Sequence, residues 1–240
     1  MHDKAAADDE VLIYGPIVSE RLRTYYEEEG APAMSALQFA ARVKALRGEG
    51  VTDVKMRVNS PGGSVAEASA IRQRMSELQL SGMRFNAVID GNAASAASII
   101  TLGSDEVTMA KLGQYYIHKP SQFMFGSYGA SELADEARDL QDYAEVLELI
   151  YDDRGVDYSA LGYSNASELA YGRAGNGTQI LAPKAVKARL ADRVESDNDV
   201  KSDETSNDAG DDAGDTTSLA RQLRDIRLEE MSQAIWEYRS

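Results

Sequence analysis

The sequence predicts an α/β protein built on a mostly parallel sheet with flanking helices. Two observations carry this expectation. Strand and helix patterns alternate from residue 11 to residue 190, and two glycine-bearing turns each follow a strand and lead into a helix. At this spacing parallel strands are joined through helices by right-handed crossovers.

Val11–Tyr14 reads as a short strand. Ala33–Leu46 is helical, with Leu37, Ala40, Ala41 and Val43 roughly on one face. Val54–Val58 alternates apolar and charged residues as a strand does, and runs into Asn59-Ser60-Pro61-Gly62-Gly63. Helical pattern follows over Ser64–Leu78, then a strand over Phe85–Ile89. A glycine turn leads to an apolar helix over Ala93–Leu102, and strands follow near Val107 and over Tyr115–Ile117. A long amphipathic helix over Ser131–Tyr151 carries Leu133, Ala137, Leu140, Ala144, Leu147 and Ile150. Pro183, suited to a first helical turn, opens a final helix ending near Leu190.

The flanks differ in composition. Residues 1–9 lack periodicity and read as a disordered lead-in, so the folded domain is expected over 10–195. Residues 196–217 hold eight acids, one lysine and a single large aliphatic, Val200. Such a stretch buries too little apolar surface to offset chain entropy and reads as a solvated linker. Residues 218–240 regain helical spacing, with Leu219, Leu223, Ile226, Leu228, Met231 and Ile235 three or four apart as a rule.

Composition excludes several function classes. At 240 residues the chain buries a sizeable core unaided, and without cysteine it has no disulfide, thiolate metal site or Cys nucleophile. With 25 Lys+Arg against 40 Asp+Glu, the net charge of −15 disfavours nucleic acid and anionic membranes as partners. No apolar run approaches the ~20 residues that span a bilayer, and the N-terminus lacks the apolar segment of a signal peptide. A soluble, cytoplasmic protein is the expectation.

The two turns are where chemistry can sit. A strand-to-helix turn aims backbone N–H groups at one point, and the Gly62-Gly63 pair lets a ligand approach the backbone closely. In Asp90–Ser98 small residues surround Ser95 at a helix start, where a hydroxyl projects and its own and the next N–H are free to bind an oxyanion. Each turn alone also reads as a tight connection and nothing more. The chain has two histidines, His2 in the lead-in and His118 at a strand end. His118 is thus the one imidazole in the folded part available to a Ser–His hydrolase, and a multi-histidine metal site is excluded.

Taken together, Asn59–Ser64, Gly91-Asn92-Ala93-Ala94-Ser95 and Tyr116-Ile117-His118-Lys119-Pro120 resemble the three signature segments of the Clp protease proteolytic subunit family. The resemblance is strongest to the Clp-protease-like head maturation proteases of tailed phages and prophages. Ile13–Ile17, the Ala93–Ser98 run and Ala182–Val186 with Leu190–Asp192 extend it over about residues 11–195.

The resemblance implies the Clp protease/crotonase-like fold, assembly into a homo-oligomeric ring and peptide-bond hydrolysis without metal or cofactor. It matches Ser95 to the nucleophile, His118 to the general base, and Gly63 and Ala96 to the oxyanion-hole donors. One such donor is worth about 3–4 kcal/mol of transition-state stabilisation. The family's third member, an aspartate before the last helix, has no counterpart. Residues 172–178 read Gly-Arg-Ala-Gly-Asn-Gly-Thr. Asn176 is the candidate there, orienting the ring through its amide oxygen, with Asp157 as a carboxylate from elsewhere. Ser98 is the fallback nucleophile.

The phage setting implies capsid or scaffold proteins as substrates, in the host cytoplasm or the assembling head. A protease-derived scaffolding protein and, more distantly, a crotonase-type acyl-CoA enzyme are the alternatives.

Overall fold

A computed structural model describes residues 10–122 and 126–196. The predicted lead-in, all of the acidic linker after Ser196, the terminal helix, Phe123 and Phe125 lie outside the described residues.

In chain order the elements are β1 (Glu10–Tyr14), α1 (Glu20–Glu28), α2 (Ala36–Gly48), β2 (Asp53–Ser60), α3 (Val65–Gln79), β3 (Arg84–Ala94) and α4 (Ala96–Thr101). There follow β4 (Glu106–Met109), β5 (Gln114–Ile117), α5 (Ala130–Arg154), a 3-10 turn (Tyr158–Leu161), α6 (Ala166–Tyr171), β6 (Thr178–Leu181), α7 (Ala182–Lys187) and β7 (Arg193–Val194). The sheet runs β1-β2-β3-β4-β7, all parallel, with β5 also parallel to β3 and β6 antiparallel to β5.

Period-2 patterning sets which face is buried. In β2, Val54, Met56 and Val58 are fully buried while the residues between them are not. Phe85, Ala87 and Ile89 of β3 join them, and the Phe85 ring sits 6.1 Å from that of Phe39 on α2. Caps fix the helix starts. The Ser35 hydroxyl accepts the Gln38 N–H at 3.0 Å, so α2 opens at Ala36 and not at Ala33, and Ser64 caps α3 through the Glu67 N–H.

The region expected as a glycine turn is strand. β3 continues through Asp90, Gly91 and Asn92 to Ala94, and the following helix begins at Ala96, not Ala93. The reason is a change of partner. Asn86–Ile89 pair with β4, whereas Asn92–Ala94 pair with Gln114–Tyr116 of β5. Against β2 the register passes from Val58↔Ile89 to Ser60↔Ala93, so β3 uses four positions where β2 uses two. The Asn59 side chain fills the gap, its Oδ1 accepting the Asn92 N–H at 3.1 Å. Asp90, at the start of this bulge, takes Arg57 and the Tyr14 hydroxyl, the latter at 2.7 Å, and so ties β1, β2 and β3 together.

Four further elements carry too little periodicity to read from sequence: α1, the 3-10 turn, α6 and β6. Helix α1 has no buried residue. The long helix α5 buries only Leu147, Ile150 and Tyr151, and Leu133 near its start is about half exposed at 49 %.

Asn59→Ala leaves the Asn92 N–H without its acceptor and should cost about 1–2 kcal/mol. A melting temperature lowered by several degrees is expected, and an unchanged one would contradict the role given to Asn59.

Candidate active site

Ser95 lies alone between β3 and α4, with φ 50° and ψ −124°. A non-glycine residue held there costs on the order of 1–3 kcal/mol and persists only where its surroundings enforce it. Three contacts enforce it. The Ser95 N–H donates to the Tyr116 carbonyl at 2.7 Å, and the Ser95 carbonyl accepts both the Ser98 N–H at 2.9 Å and the Ser98 hydroxyl at 2.7 Å. Gly62 presses from the other side, where a Cβ would meet the Ala94 oxygen at 2.6 Å and the Ser95 Cβ at 2.7 Å. Only glycine fits at 62.

The Ser95 N–H is therefore spent on the sheet, contrary to the expectation that it is free. The next N–H, of Ala96, and that of Gly63 have no protein acceptor among the described residues. The Gly63 turn is pinned through Ile17, whose N–H donates to the Gly62 carbonyl and whose carbonyl accepts the Ser64 N–H, both at 2.8 Å.

His118 follows β5 directly. It and Ser95 line one cavity of about 430 Å³, together with Gly63, Pro120, Leu140 and Tyr143. No hydrogen bond joins the Ser95 hydroxyl to the ring among the described residues; such bonds are often long before substrate binds. Burial lowers the His118 pKa below its ordinary value, with a Lys119 backbone hydrogen bond pulling weakly the other way. The imidazole is neutral at pH 7, the state a base needs. Its face stacks on Tyr116, with centroids 5.3 Å apart and planes 27° apart.

The Asn176 side chain is exposed, and its backbone carbonyl, not its amide, makes the local contact by accepting the Tyr116 hydroxyl. Asp157 caps the 3-10 turn, accepting the Ser159 hydroxyl at 2.6 Å and the Ala160 N–H at 3.2 Å. No carboxylate acts on the His118 ring among the described residues. Ser98 is fully buried, and its hydroxyl is shared with Tyr151 at 2.9 Å. Tyr143 of α5 also faces the cavity. Its place one turn before Leu147 on α5 gave no signal of this.

A parallel sheet that sets a strained serine turn beside a strand-end histidine defines an α/β fold of the Clp peptidase type. The structure matches that of a point mutant of ClpP1 from Listeria monocytogenes with a TM-score of 0.58, at 17% identity, over 80% of this chain and 94% of that chain. The family model described as Clp protease matches residues 12–158. The chain belongs to the Clp protease family, a family of peptidases. No curated protein matches the sequence. The matched span includes Gly63, Ser95, Ala96 and His118 but ends before residues 172–178. Among the described residues no helix is long and apolar enough to cross a membrane.

Strain at position 95 is separable from chemistry. Ser95→Gly should be more stable than Ser95→Ala by roughly 1 kcal/mol, because glycine adopts this φ without penalty. Denaturant unfolding of the two variants checks this, and equal midpoints would mean the turn is unstrained.

Proposed function

We propose that this protein is a serine endopeptidase in which Ser95 is the nucleophile, His118 the general base, and the Gly63 and Ala96 N–H groups the oxyanion hole. The observation that carries the reading is the single cavity onto which Ser95, His118 and Gly63 open. The Ser95 oxygen attacks the scissile carbonyl while His118 takes its proton. The carbonyl oxygen becomes an oxyanion held by the two unengaged N–H groups. His118 then protonates the leaving amine, and water releases the acyl group by the same route in reverse. No step calls for a metal or cofactor.

The imidazolium formed on the way has no carboxylate beside it among the described residues, and burial disfavours its charge. Asp→Asn in one Ser-His-Asp protease cost ~10⁴-fold in turnover, so a slow enzyme is the physical expectation. Proteins like ClpP form homo-oligomeric rings and bind polypeptides. We propose a ring for this chain as well; the exposed apolar residues of α5, Leu133 at 49 % and Leu149 at 69 %, suit burial in an assembly. The setting proposed from the motif resemblance is phage head maturation, with capsid or scaffold polypeptides as substrates in the host cytoplasm or assembling head. Such polypeptides co-produced with the chain should be cut at discrete sites, and left whole by Ser95→Ala.

A fluorophosphonate probe tests the chemistry. Labelling should occur on Ser95, vanish in Ser95→Ala and fall steeply in His118→Ala. No labelling of the folded, assembled protein would favour the scaffolding alternative. The pH profile has a fixed sign. His118 acts only when neutral and its pKa lies below the ordinary 6.5, so kcat/KM should fall as pH drops with a midpoint below 6.5. The same group stabilises the fold above pH 6.5, and that contribution is lost as pH falls toward the depressed folded-state value. An acid limb centred above 6.5 would rule His118 out as the base.

A further inference from the structure

We propose that Tyr116 is the positioning residue for His118: its ring stacks against the imidazole while its hydroxyl is tied to the Asn176 carbonyl, forming an aromatic clamp where no carboxylate among the described residues orients the base. The proposal rests on the Ser–His reading above and adds to it the group that holds the base.

Three contacts meet at this one side chain's residue. The rings of Tyr116 and His118 lie 5.3 Å apart between centroids at 27°, a stacked pair of side chains two apart in the chain, Tyr116 in β5 and His118 just past its end. The hydroxyl bonds to the Asn176 carbonyl, so the ring is fixed at its far end as well as at its Cα. The Tyr116 carbonyl accepts the Ser95 N–H at 2.7 Å, so the residue that holds the base also holds the nucleophile's turn.

The loop bringing the carbonyl is built for close approach. A Cβ on Gly177 would meet the His118 Cβ at 2.7 Å and the Tyr116 hydroxyl at 3.1 Å, and Gly177 has φ +100°. Its N–H is anchored to the Tyr171 carbonyl at 3.0 Å, just before Thr178 pairs with Ile117.

A triad acid does two things, orienting the imidazole and stabilising its cation. Stacking supplies the first by restricting ring rotation. It supplies part of the second because the face of an aromatic ring attracts a cation. A tyrosine is suited to both, since it brings a ring for the imidazole and a hydroxyl for the tether.

The test uses the full chain, a fluorophosphonate probe and saturation kinetics that separate maximal labelling rate from half-saturating concentration. Tyr116→Phe keeps the ring and loses the tether; it should slow the maximal rate about tenfold with half-saturation unchanged. Tyr116→Leu loses the ring and should slow it about a hundredfold, the scale of misplacing a catalytic group. Asn176→Ala keeps the backbone carbonyl and should slow labelling less than Tyr116→Phe. His2 is the only other histidine, so a His2→Gln background isolates the His118 ring signals in NMR. They should lose their aromatic ring-current shift in Tyr116→Leu and keep it in Tyr116→Phe.

Wild-type rates in both folded Tyr116 variants, with His118→Ala still impaired, overturn the clamp and leave the Ser–His reading standing. A larger loss in Asn176→Ala than in Tyr116→Phe overturns it in favour of the amide. Unimpaired labelling in His118→Ala removes the reading beneath, and the clamp with it.

Discussion

One hydrogen bond organises the site: the Ser95 N–H donating to the Tyr116 carbonyl at 2.7 Å. It continues the parallel ladder of β3 and β5 one step beyond Ala94↔Tyr116. Parallel strands leave a sheet at the same end, so the residue just past β3 and the residue just past β5 emerge side by side. Those residues are Ser95 and His118. The bond exists only because β3 exchanges β4 for β5 along one edge, and the exchange depends on the bulge that Asn59 stitches. The strain at Ser95 is the local cost of turning from that ladder into α4 within one residue, and Gly62 leaves the room for it.

Among the described residues no carboxylate lines the cavity of Ser95 and His118, and three aspartates of the domain are engaged in other work. Asp90 is held by Arg57 and Tyr14, Asp157 caps a turn, and Asp192 accepts the Val107 N–H while pairing with Arg154. Each serves the fold. The base is left with burial, which keeps it neutral and makes its protonated form costly, and with an aromatic neighbour on one face. Backbone N–H groups, by contrast, need no charged partner to stabilise an oxyanion, and the Gly63 turn is held by bonds to Ile17 that leave its own N–H unengaged.

Much of the fold was legible because its period is strong. Val54–Val58 and Phe85–Ile89 alternate without exception in side-chain burial, and both were read as strands within a residue or so at their starts. The continuation of β3 was not legible, since Asp90, Gly91 and Asn92 each favour turns and only tertiary pairing with β5 overrides them. Helix α1 and strand β6 escaped because one buries nothing and the other is four residues long. At the site, residue types pointed to the two turns and to His118, and the family resemblance singled out Gly63, Ser95, Ala96 and His118 as candidates. What sequence did not carry was which N–H was already spent and that Asn176 offers its backbone, not its amide. Those depend on carbonyl directions, which no side-chain pattern encodes.

The most direct measurement is a crystal structure of the phosphonylated protein. The account predicts phosphorus bonded to the Ser95 oxygen, with one phosphoryl oxygen about 2.7–3.1 Å from both the Gly63 and Ala96 nitrogens and the imidazole of His118 facing the adduct. An adduct whose phosphoryl oxygen points to solvent, or whose phosphorus sits on another serine, would contradict it.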